Sequence, residues 1–331
     1  MHGQIGKGRA MTRLVGPGRV AEAAEVLRAG GLVAFPTETV YGLGADASDA
    51  AAVQRIFEAK GRPAGHPLIV HLGSIELLDA WAADVDPRVR LLAERFWPGP
   101  LTLVVPRSDR VPDVVTGGRP TVGLRVPGHP VALELLRSFG GGVAAPSANR
   151  FGHVSPTSPQ HVLRDLAGRI DLVVDGGPCA VGLESTIVEV VGGPVTLLRP
   201  GGLAVERIAE ALGEPVADGR RGEHRAPGML ESHYAPEATV EVTDADGLAR
   251  RLAALGDASV GVLSAGPIEV PAGVFRWQLP VDADGFASRL YAVLREADIM
   301  GVAHVLVVPP GEGSLSSAIV DRLHKASGPR P

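Results

Sequence analysis

Short apolar runs alternate with stretches of helical apolar spacing along most of this chain. Residues 32–35 form an apolar run bounded by glycine and proline, whereas 50–60 spaces its apolar residues as a helix does, behind a capping Asp49. This alternation is typical of an α/β sheet. A hairpin-like pair of runs at 185–190 and 195–198 predicts that the sheet is mixed rather than wholly parallel.

A change of composition divides the chain into two such units. Residues 213–236 are rich in Gly, Pro, Arg and Glu and show almost no apolar periodicity, which is typical of a linker. The strand and helix patterns then resume. We therefore predict a large α/β unit at 12–212, a connecting segment at 213–238 and a smaller α/β unit at 239–331.

Composition limits the classes of function. The formal net charge is −5, which argues against a protein that is basic overall and binds nucleic acid, but leaves room for a local basic groove. No apolar run reaches membrane-spanning length, and the first ten residues lack the apolar core of a signal peptide. The single Cys179 fits a reducing compartment. We expect a cytoplasmic protein without a membrane partner.

Two cations stand at the end of the helix predicted at 50–60. Lys60 ends that helix and Arg62 lies just past it, where basic side chains usually only complement the helix dipole. The following loop contains two prolines and would carry the cations toward the edge of the sheet, where ligands of open α/β folds bind. Downstream, Ser147 and Asn149 follow an apolar strand. Together these residues predict a pocket that holds a polyanion.

Arg125 lies inside a strand that alternates cleanly over 121–126. Thr121, Gly123 and Arg125 share one face of this strand. An arginine among small residues in a strand interior is costly unless it is paired. Its partner is either a Glu or Asp of the protein, in an internal ion pair, or the carboxylate of a ligand, and the sequence leaves both interpretations open.

Several common signatures are absent from the sequence. It contains no P-loop, no H-E-x-x-H pair and no G-x-S-x-G elbow. Residues 42–47 match the G-x-G-x-x-A dinucleotide pattern, but no acidic residue stands about twenty positions further on, where a ribose partner is expected. We interpret these glycines as allowing a turn or a close backbone approach.

In order along the chain, the motifs resemble the YrdC-like threonylcarbamoyl-AMP synthases in their long two-domain form. They are F-P-T-E-T-V-Y-G-L at 35–43, K-G-R-P at 60–63, P-L-I-V-H at 67–71, W-P-G-P-L-T at 97–102, L-R-V-P at 124–127, A-P-S-A-N at 145–149, S-P-T at 155–157, E-S-T-I at 184–187 and L-R-P-G at 198–201. Two further motifs, A-P-G-M at 226–229 and H-Y-A-P at 233–236, lie in the linker and are similar to those that distinguish the long form.

The resemblance implies a YrdC-like twisted mixed sheet at 12–212, a lid over the active site at 213–238 and a small Rossmann-like domain at 239–331. It implies a nucleotidyltransferase that forms L-threonylcarbamoyladenylate and pyrophosphate from L-threonine, bicarbonate or CO2, and ATP. A separate tRNA threonylcarbamoyl transferase would use this product to make N6-threonylcarbamoyladenosine next to the anticodon, and weak RNA contact is compatible with that pathway. Mg²⁺ held through the ATP phosphates, with no ligand from the protein, is the implied cofactor.

The resemblance also implies a role for each site residue. Lys60 and Arg62 would be the catalytic cations. The residues expected to bind threonine are Thr39, His71, Arg125, Ala145 and Ser185. The residues expected to bind the nucleotide are Arg62, His66, Thr121, Ser147, Asn149, Ser155, Arg199 and Tyr234. Tyr234 would reach back from the linker to cover the pocket. His66 stands where relatives usually carry asparagine.

Two other functions are compatible with parts of the sequence. A concave sheet with basic residues could hold an RNA duplex, which predicts tight, salt-sensitive binding that survives Lys60→Ala. A related carbamoyl-adenylate chemistry, as in hydrogenase maturation, is carried out by proteins whose additional zinc-finger-like and acylphosphatase-like parts have no counterpart in this sequence.

Overall fold

The computed structural model describes residues 11–220, 227 and 235–328. The strands of its first part are β1 (Arg13–Val15), β2 (Val33–Phe35), β3 (Gly42–Asp46), β4 (Ile69–His71), β5 (Leu101–Pro106), β6 (Thr121–Arg125), β7 (Val143–Ala144), β8 (Leu172–Val174), β9 (Thr186–Glu189), β10 (Thr196–Arg199) and β11 (Ala217–Asp218). Within the described residues they form one sheet in the order β1-β8-β2-β3-β7-β4-β6-β5-β9-β10-β11. Strand β6 pairs parallel with β4 and antiparallel with β5, so the predicted mixed sheet is confirmed.

Helices cover both faces of this sheet. They are α1 (Val20–Arg28), α2 (Ala50–Lys60), α3 (Leu78–Trp81), α4 (Pro87–Phe96), α5 (Asp113–Thr116), α6 (Pro130–Phe139), α7 (Pro159–Leu166) and α8 (Val205–Leu212). Alternate residues of β2 enter different apolar cores, as a period of two requires. Ala34 packs in a core with α2 and α4, whereas Val33 and Phe35 pack in a core with α1 and α6.

The second part contains a smaller parallel sheet. Its elements are β12 (Thr239–Val242), α9 (Ala245–Leu255), β13 (Val260–Ala265), β14 (Phe275–Leu279), α10 (Ala283–Ile299), β15 (His304–Val308) and α11 (Ser316–Ser327). The strand order is β12-β15-β13-β14, and each neighbouring pair is parallel. Helix α9 connects β12 to β13 and helix α10 connects β14 to β15, which agrees with the Rossmann-like unit that the sequence predicted.

The glycine-rich stretch that matched a dinucleotide pattern is a strand. Strand β3 pairs antiparallel with β2 and with β7. A Cβ on Gly44 would lie 2.7 Å from Val143 Cγ1 and 2.9 Å from Phe35 Cε1. The interpretation as a turn was therefore wrong, while that of a close backbone approach is confirmed. Because β2 and β3 are antiparallel neighbours, they are not part of a dinucleotide-binding βαβ unit.

The two parts share an apolar core. Val40, Val154 and Leu183 of the first part are buried in one cluster with residues of β12 to β15, α10 and α11. The predicted boundaries at 212 and 238 stay predictions, because the structure describes only some residues of the connecting segment. Among the described residues, no helix combines the length and the apolarity needed to cross a membrane.

Candidate active site

A pocket lies where several loops of the large sheet converge. Its walls come from the loop after β2, the start of β3, strands β4 and β6, the loop after β7, the residues before β9 and the end of β10. It contains about 550 Å³ of empty space, its open mouth included. Within the described residues, the predicted site residues that line it are Thr39, Arg62, His71, Arg125, Ala145, Ser147, Ser185 and Arg199. The fold thus brings together side chains that are far apart in the sequence.

Arg62 reaches the pocket because the chain turns sharply at the end of α2. Gly61 adopts a φ of 65°, the left-handed conformation that glycine tolerates best at a helix end. The guanidinium of Arg62 then lies over the ring of Phe151, 5.8 Å from its centroid, and Nη2 donates a hydrogen bond to the carbonyl of Pro67 (3.2 Å). Arg62 is buried, so its charge is held in place at the pocket wall.

Lys60 lies behind the pocket wall and anchors a loop. Its ammonium donates hydrogen bonds to the backbone carbonyls of Ser147 and Asn149, and the residue is buried. Burial and then the neighbouring charge of Arg62 hold the pKa of Lys60 well below its usual range. The two motifs that the sequence analysis paired therefore meet, with Lys60 holding the loop that presents Ser147 to the pocket.

Arg125 forms an internal ion pair and also lines the pocket. Its Nη2 lies 2.7 Å from Oε1 of Glu38, and both side chains are largely buried. Its Nη1 donates to Oγ1 of Thr39 (3.0 Å), and its Nε donates to the carbonyl of Gly99 (3.1 Å). The ion-pair interpretation is confirmed and the partner is Glu38. The use of the same guanidinium as a clamp for a ligand carboxylate stays a prediction.

His71 stands beside Arg125 on the neighbouring strand. The register of the parallel pair β4 and β6 places the two residues opposite each other. The ring meets Phe35 edge-on, with centroids 6.0 Å apart. Burial and then the charge of Arg125 lower the pKa of His71 to about 3, so the imidazole is neutral at physiological pH. A neutral ring nitrogen in the lining can exchange a hydrogen bond with a ligand hydroxyl.

Arg199 and Ser185 form another part of the lining. Nη2 of Arg199 donates to the backbone carbonyl of Ser185 (2.8 Å) and to its hydroxyl (3.1 Å). The hydroxyl of Ser185 also lies 2.8 Å from that of Thr102. Nη1 of Arg199 donates to the carbonyl of Pro227 (3.1 Å). One described residue of the connecting segment therefore touches the pocket.

The other predicted nucleotide residues lie outside the described lining. His66 meets Phe151 edge-on at 5.7 Å, next to Arg62. Thr121 begins β6, opposite Pro106. The amide of Asn149 donates to the backbone carbonyls of Arg150 and His153, and the hydroxyl of Ser155 donates to Glu184. Tyr234 lies outside the described residues.

Two carboxylates beside the pocket received no role from the sequence. Glu38 stands within the motif at 35–43 and pairs with Arg125. Glu184 lines the pocket and pairs with Arg322 of the smaller unit (2.6 Å). Because a buried Arg125 needs an acidic partner, the sequence indicated that some carboxylate would pair with it. No local feature of the sequence showed that this carboxylate would be that of Glu38.

Two family models and several curated relatives match most of this chain. The Sua5/YciO/YrdC family model, described as telomere recombination, matches residues 25–201, and a model described as the C-terminal domain of threonylcarbamoyl-AMP synthase matches residues 203–328. A threonylcarbamoyl-AMP synthase of Pyrococcus abyssi is 44% identical over 94% of this chain and 95% of that protein. The one of Bacillus subtilis is 40% identical over 94% of both chains.

Similarity extends to solved structures and to shorter relatives. The crystal structure of Pyrococcus abyssi Sua5 complexed with L-threonine superposes with a TM-score of 0.89 and 41% identity, and covers 96% of this chain and 98% of that one. A threonylcarbamoyl-AMP synthase of Thiobacillus denitrificans is 38% identical over 51% of this chain but 89% of its own length. The chain therefore belongs to the threonylcarbamoyl-AMP synthase family, in its long form with a second domain.

Proposed function

We propose that this enzyme forms L-threonylcarbamoyladenylate and pyrophosphate from L-threonine, bicarbonate or CO2, and ATP. The observation that carries the proposal is the convergence of Arg62, Arg125 and Arg199 on one pocket with the hydroxyls of Thr39 and Ser185. A pocket with separate cations suits two substrates that carry a carboxylate and a triphosphate. The names of the relatives and the threonine bound to the Pyrococcus abyssi structure support the same reaction.

Threonine would bind between β4 and β6. The carboxylate would approach Arg125, which already faces the lining although Glu38 and Thr39 occupy part of its hydrogen-bonding capacity. The neutral imidazole of His71 and the hydroxyl of Ser185 would meet the remaining polar groups of the amino acid. Holding threonine by several contacts orients its amine toward CO2, and this orientation lowers the entropic part of the barrier.

The chemical steps need no nucleophile from the protein. The ammonium group of threonine first loses a proton to solvent. The amine nitrogen then forms a bond to the carbon of CO2 while one C–O π bond breaks toward oxygen, and the nitrogen loses a second proton to give a carbamate. A carbamate oxygen then attacks the α-phosphorus of ATP, the bond to the bridging oxygen breaks, and pyrophosphate leaves with that electron pair. The reaction depends on charge neutralisation at the phosphates. Arg62 and Arg199 would supply it, while Lys60 fixes the loop that carries Ser147.

We propose Mg²⁺ as the cofactor, entering as the ATP complex. Among the described residues, no group of three or more histidine, cysteine, aspartate or glutamate side chains is arranged as a metal site. The carboxylates next to the pocket, Glu38 and Glu184, already pair with arginines. With both carboxylates paired, the ion would be held by phosphate oxygens and water. It would neutralise charge on the triphosphate.

We propose that the connecting segment acts as a lid, with residues 12–212 as the catalytic domain and 239–331 as the second domain. The contact of the Pro227 carbonyl with Arg199 supports this role, because it brings the segment to the phosphate side of the pocket. The product would serve a separate transferase that modifies tRNA beside the anticodon, in the cytoplasm.

Pyrophosphate release tests the reaction. We expect release only when ATP, bicarbonate and threonine are all present, and we expect the adenylate to be detected by mass spectrometry. Reactions that lack one substrate, or that contain alanine instead of threonine, are the controls. The proposal would be contradicted by ATP turnover that does not require threonine, or by the absence of turnover with all three substrates.

A further inference from the structure

Glu184 receives hydrogen bonds from both parts of the molecule. On one side, the hydroxyl of Ser155 donates to its Oε1 (2.6 Å). On the other, Tyr291 of α10 donates its hydroxyl to Oε2 (3.0 Å), and Arg322 of α11 donates Nε to the same oxygen (2.6 Å). All four residues are buried. We call these four residues the Glu184 cluster.

One guanidinium of the second domain holds both loops that carry the pocket residues Ser185 and Arg199. Besides Glu184, Arg322 donates Nη2 to the carbonyl of Pro200 (3.0 Å). Glu184 directly precedes Ser185, and Pro200 directly follows Arg199. Ser185 and Arg199 both line the pocket. A displacement of Arg322 would therefore move both of these pocket residues.

Close packing fixes this docking. A Cβ on Gly182 would lie 2.6 Å from the Cα of Ser288 in α10, so the loop before Glu184 lies directly against the second domain. Val40, which follows the pocket residue Thr39, is buried in the same apolar cluster as Leu290 and Leu294 of α10. The second domain thus supports two separate stretches of the pocket wall.

We propose that Arg322 and Tyr291 are positioning residues for the reaction, acting through Glu184 on the placement of Ser185 and Arg199. The proposal rests on the proposed function and assigns to the second domain a role in shaping the threonine and phosphate subsites. Relatives such as that of Thiobacillus denitrificans, which match only 51% of this chain, would have to place the corresponding loops by other contacts.

The test compares substitutions of two arginines of the second domain, each of which contacts the first domain. Arg322→Met removes the contacts with Glu184 and Pro200. Arg295→Met is the matched control, because Arg295 is also buried and pairs across the domains with Asp165 (2.7 Å). Arg295 meets the Glu184 cluster through a long hydrogen bond to the backbone carbonyl of Ser155 (3.4 Å), whereas Arg322 holds Glu184 and Pro200 themselves. Thermal unfolding would first show that both variants are folded.

For folded Arg322→Met we expect kcat/KM to fall about tenfold to a hundredfold for both threonine and ATP, as displacement of positioned groups by about 1 Å would cause. Arg322→Lys should recover part of this loss, because it keeps a positive charge beside Glu184. The recovery should be incomplete, because lysine lacks the forked guanidinium that also reaches Pro200. Arg295→Met should lose stability while its KM values stay within about twofold of the unchanged enzyme.

If Arg322→Met does not fold, Tyr291→Phe provides a second test of the same proposal. This variant removes one hydroxyl donor and keeps the ring, so we expect a folded enzyme with KM for threonine raised about threefold to tenfold. KM values equal to those of the unchanged enzyme in folded Tyr291→Phe and Arg322→Met, or equal losses in Arg295→Met, would overturn the positioning role.

Failure of the proposed function would look different. In that case the unchanged enzyme releases no pyrophosphate, and threonine affinity measured by calorimetry replaces KM in the comparison. Weaker threonine binding in Arg322→Met than in Arg295→Met would then still support the positioning of the pocket wall, and equal binding in both would overturn it.

Discussion

At the scale of single residues, three arginines line the pocket, and each is held in a different environment. Arg62 lies over an aromatic ring at the end of a helix, Arg125 is paired with Glu38 inside the sheet, and Arg199 is held by the backbone of Ser185. Each guanidinium is fixed by protein groups before a ligand arrives. Preorganised donors of this kind need little rearrangement when charge develops on a substrate.

Arg62 and Arg125 should differ in the substrate that they affect. We predict that Arg62→Ala weakens ATP binding by about tenfold to a hundredfold and threonine binding much less, and that Arg125→Ala does the reverse, because each variant removes charge-assisted contacts to one ligand. Calorimetry with each ligand measures the two affinities. Arg90→Ala, which changes an exposed arginine, is the control. Equal losses for both ligands in both variants would contradict this division.

Glu38 should hold Arg125 in the absence of threonine. We predict that Glu38→Gln lowers the free energy of unfolding by about 3 kcal/mol, because the buried guanidinium loses its counter-ion. Saturating threonine should stabilise this variant more than it stabilises the unchanged protein, because the ligand carboxylate replaces the missing charge.

Urea unfolding with and without threonine measures both effects of the Glu38 substitution. Asp79→Asn is the control, since its ion pair with Arg90 is exposed and should contribute no more than about 1 kcal/mol. A threonine-induced gain in stability that is the same in Glu38→Gln and in the unchanged protein would argue against a shared place for the two carboxylates.

At the scale of elements, some helices and strands followed their sequence signals and others did not. Helix α2 begins after Asp49, whose side chain accepts hydrogen bonds from the first turn, and ends before Gly61, as the sequence predicted. Strand β3 was missed because its glycines resemble a turn. Strand β14 was also missed, although its alternating burial is the period-two pattern of an edge strand, and this pattern could have been found.

Gly44 in β3 should not tolerate a side chain. We predict that Gly44→Ala lowers the free energy of unfolding by about 1–3 kcal/mol, because the new Cβ would lie within 3 Å of both Val143 and Phe35. Gly18→Ala is the matched control, since a Cβ at Gly18 meets no heavy atom within 4 Å. Chemical denaturation measures both, and equal stabilities of the two variants would show that β3 can shift to make room.

At the scale of the whole molecule, the second domain joins the pocket through a buried charge. Glu184 and Arg322 are 138 positions apart and meet across the two domains. Although burial raises the pKa of Glu184, the charges of Arg322 and Arg199 and the hydrogen bond from Ser155 lower it to about 2. Domain docking is therefore linked to the ionised form of this carboxyl group.

This linkage predicts a specific acid sensitivity. Because the folded-state pKa of Glu184 lies below its ordinary value of 4.5, its contribution to stability is present above pH 4.5 and is lost as the pH falls toward 2. The full contribution is about 3 kcal/mol, and about 2 kcal/mol should be gone at pH 3. In Glu184→Gln this dependence should be missing. Denaturant titrations of both proteins at pH 6 and pH 3 measure it, and parallel losses would contradict the assignment.

The sequence by itself determined the α/β class, the mixed sheet, the family and the set of residues that its motifs share with that family. Local patterns suffice to predict these properties, because capping residues, apolar periodicity and the order of motifs can be read directly from the sequence. Eight of the predicted site residues do line one pocket among the described residues, although their individual roles stay predictions.

Only the tertiary structure decided which charges meet. It paired Arg125 with Glu38, placed Lys60 behind the pocket wall and brought Arg322 of α11 to Glu184. Each of these contacts joins residues that are distant in the sequence. Such a pairing depends on how the packed elements face one another, and the burial that makes it energetically important exists only after the chain has folded.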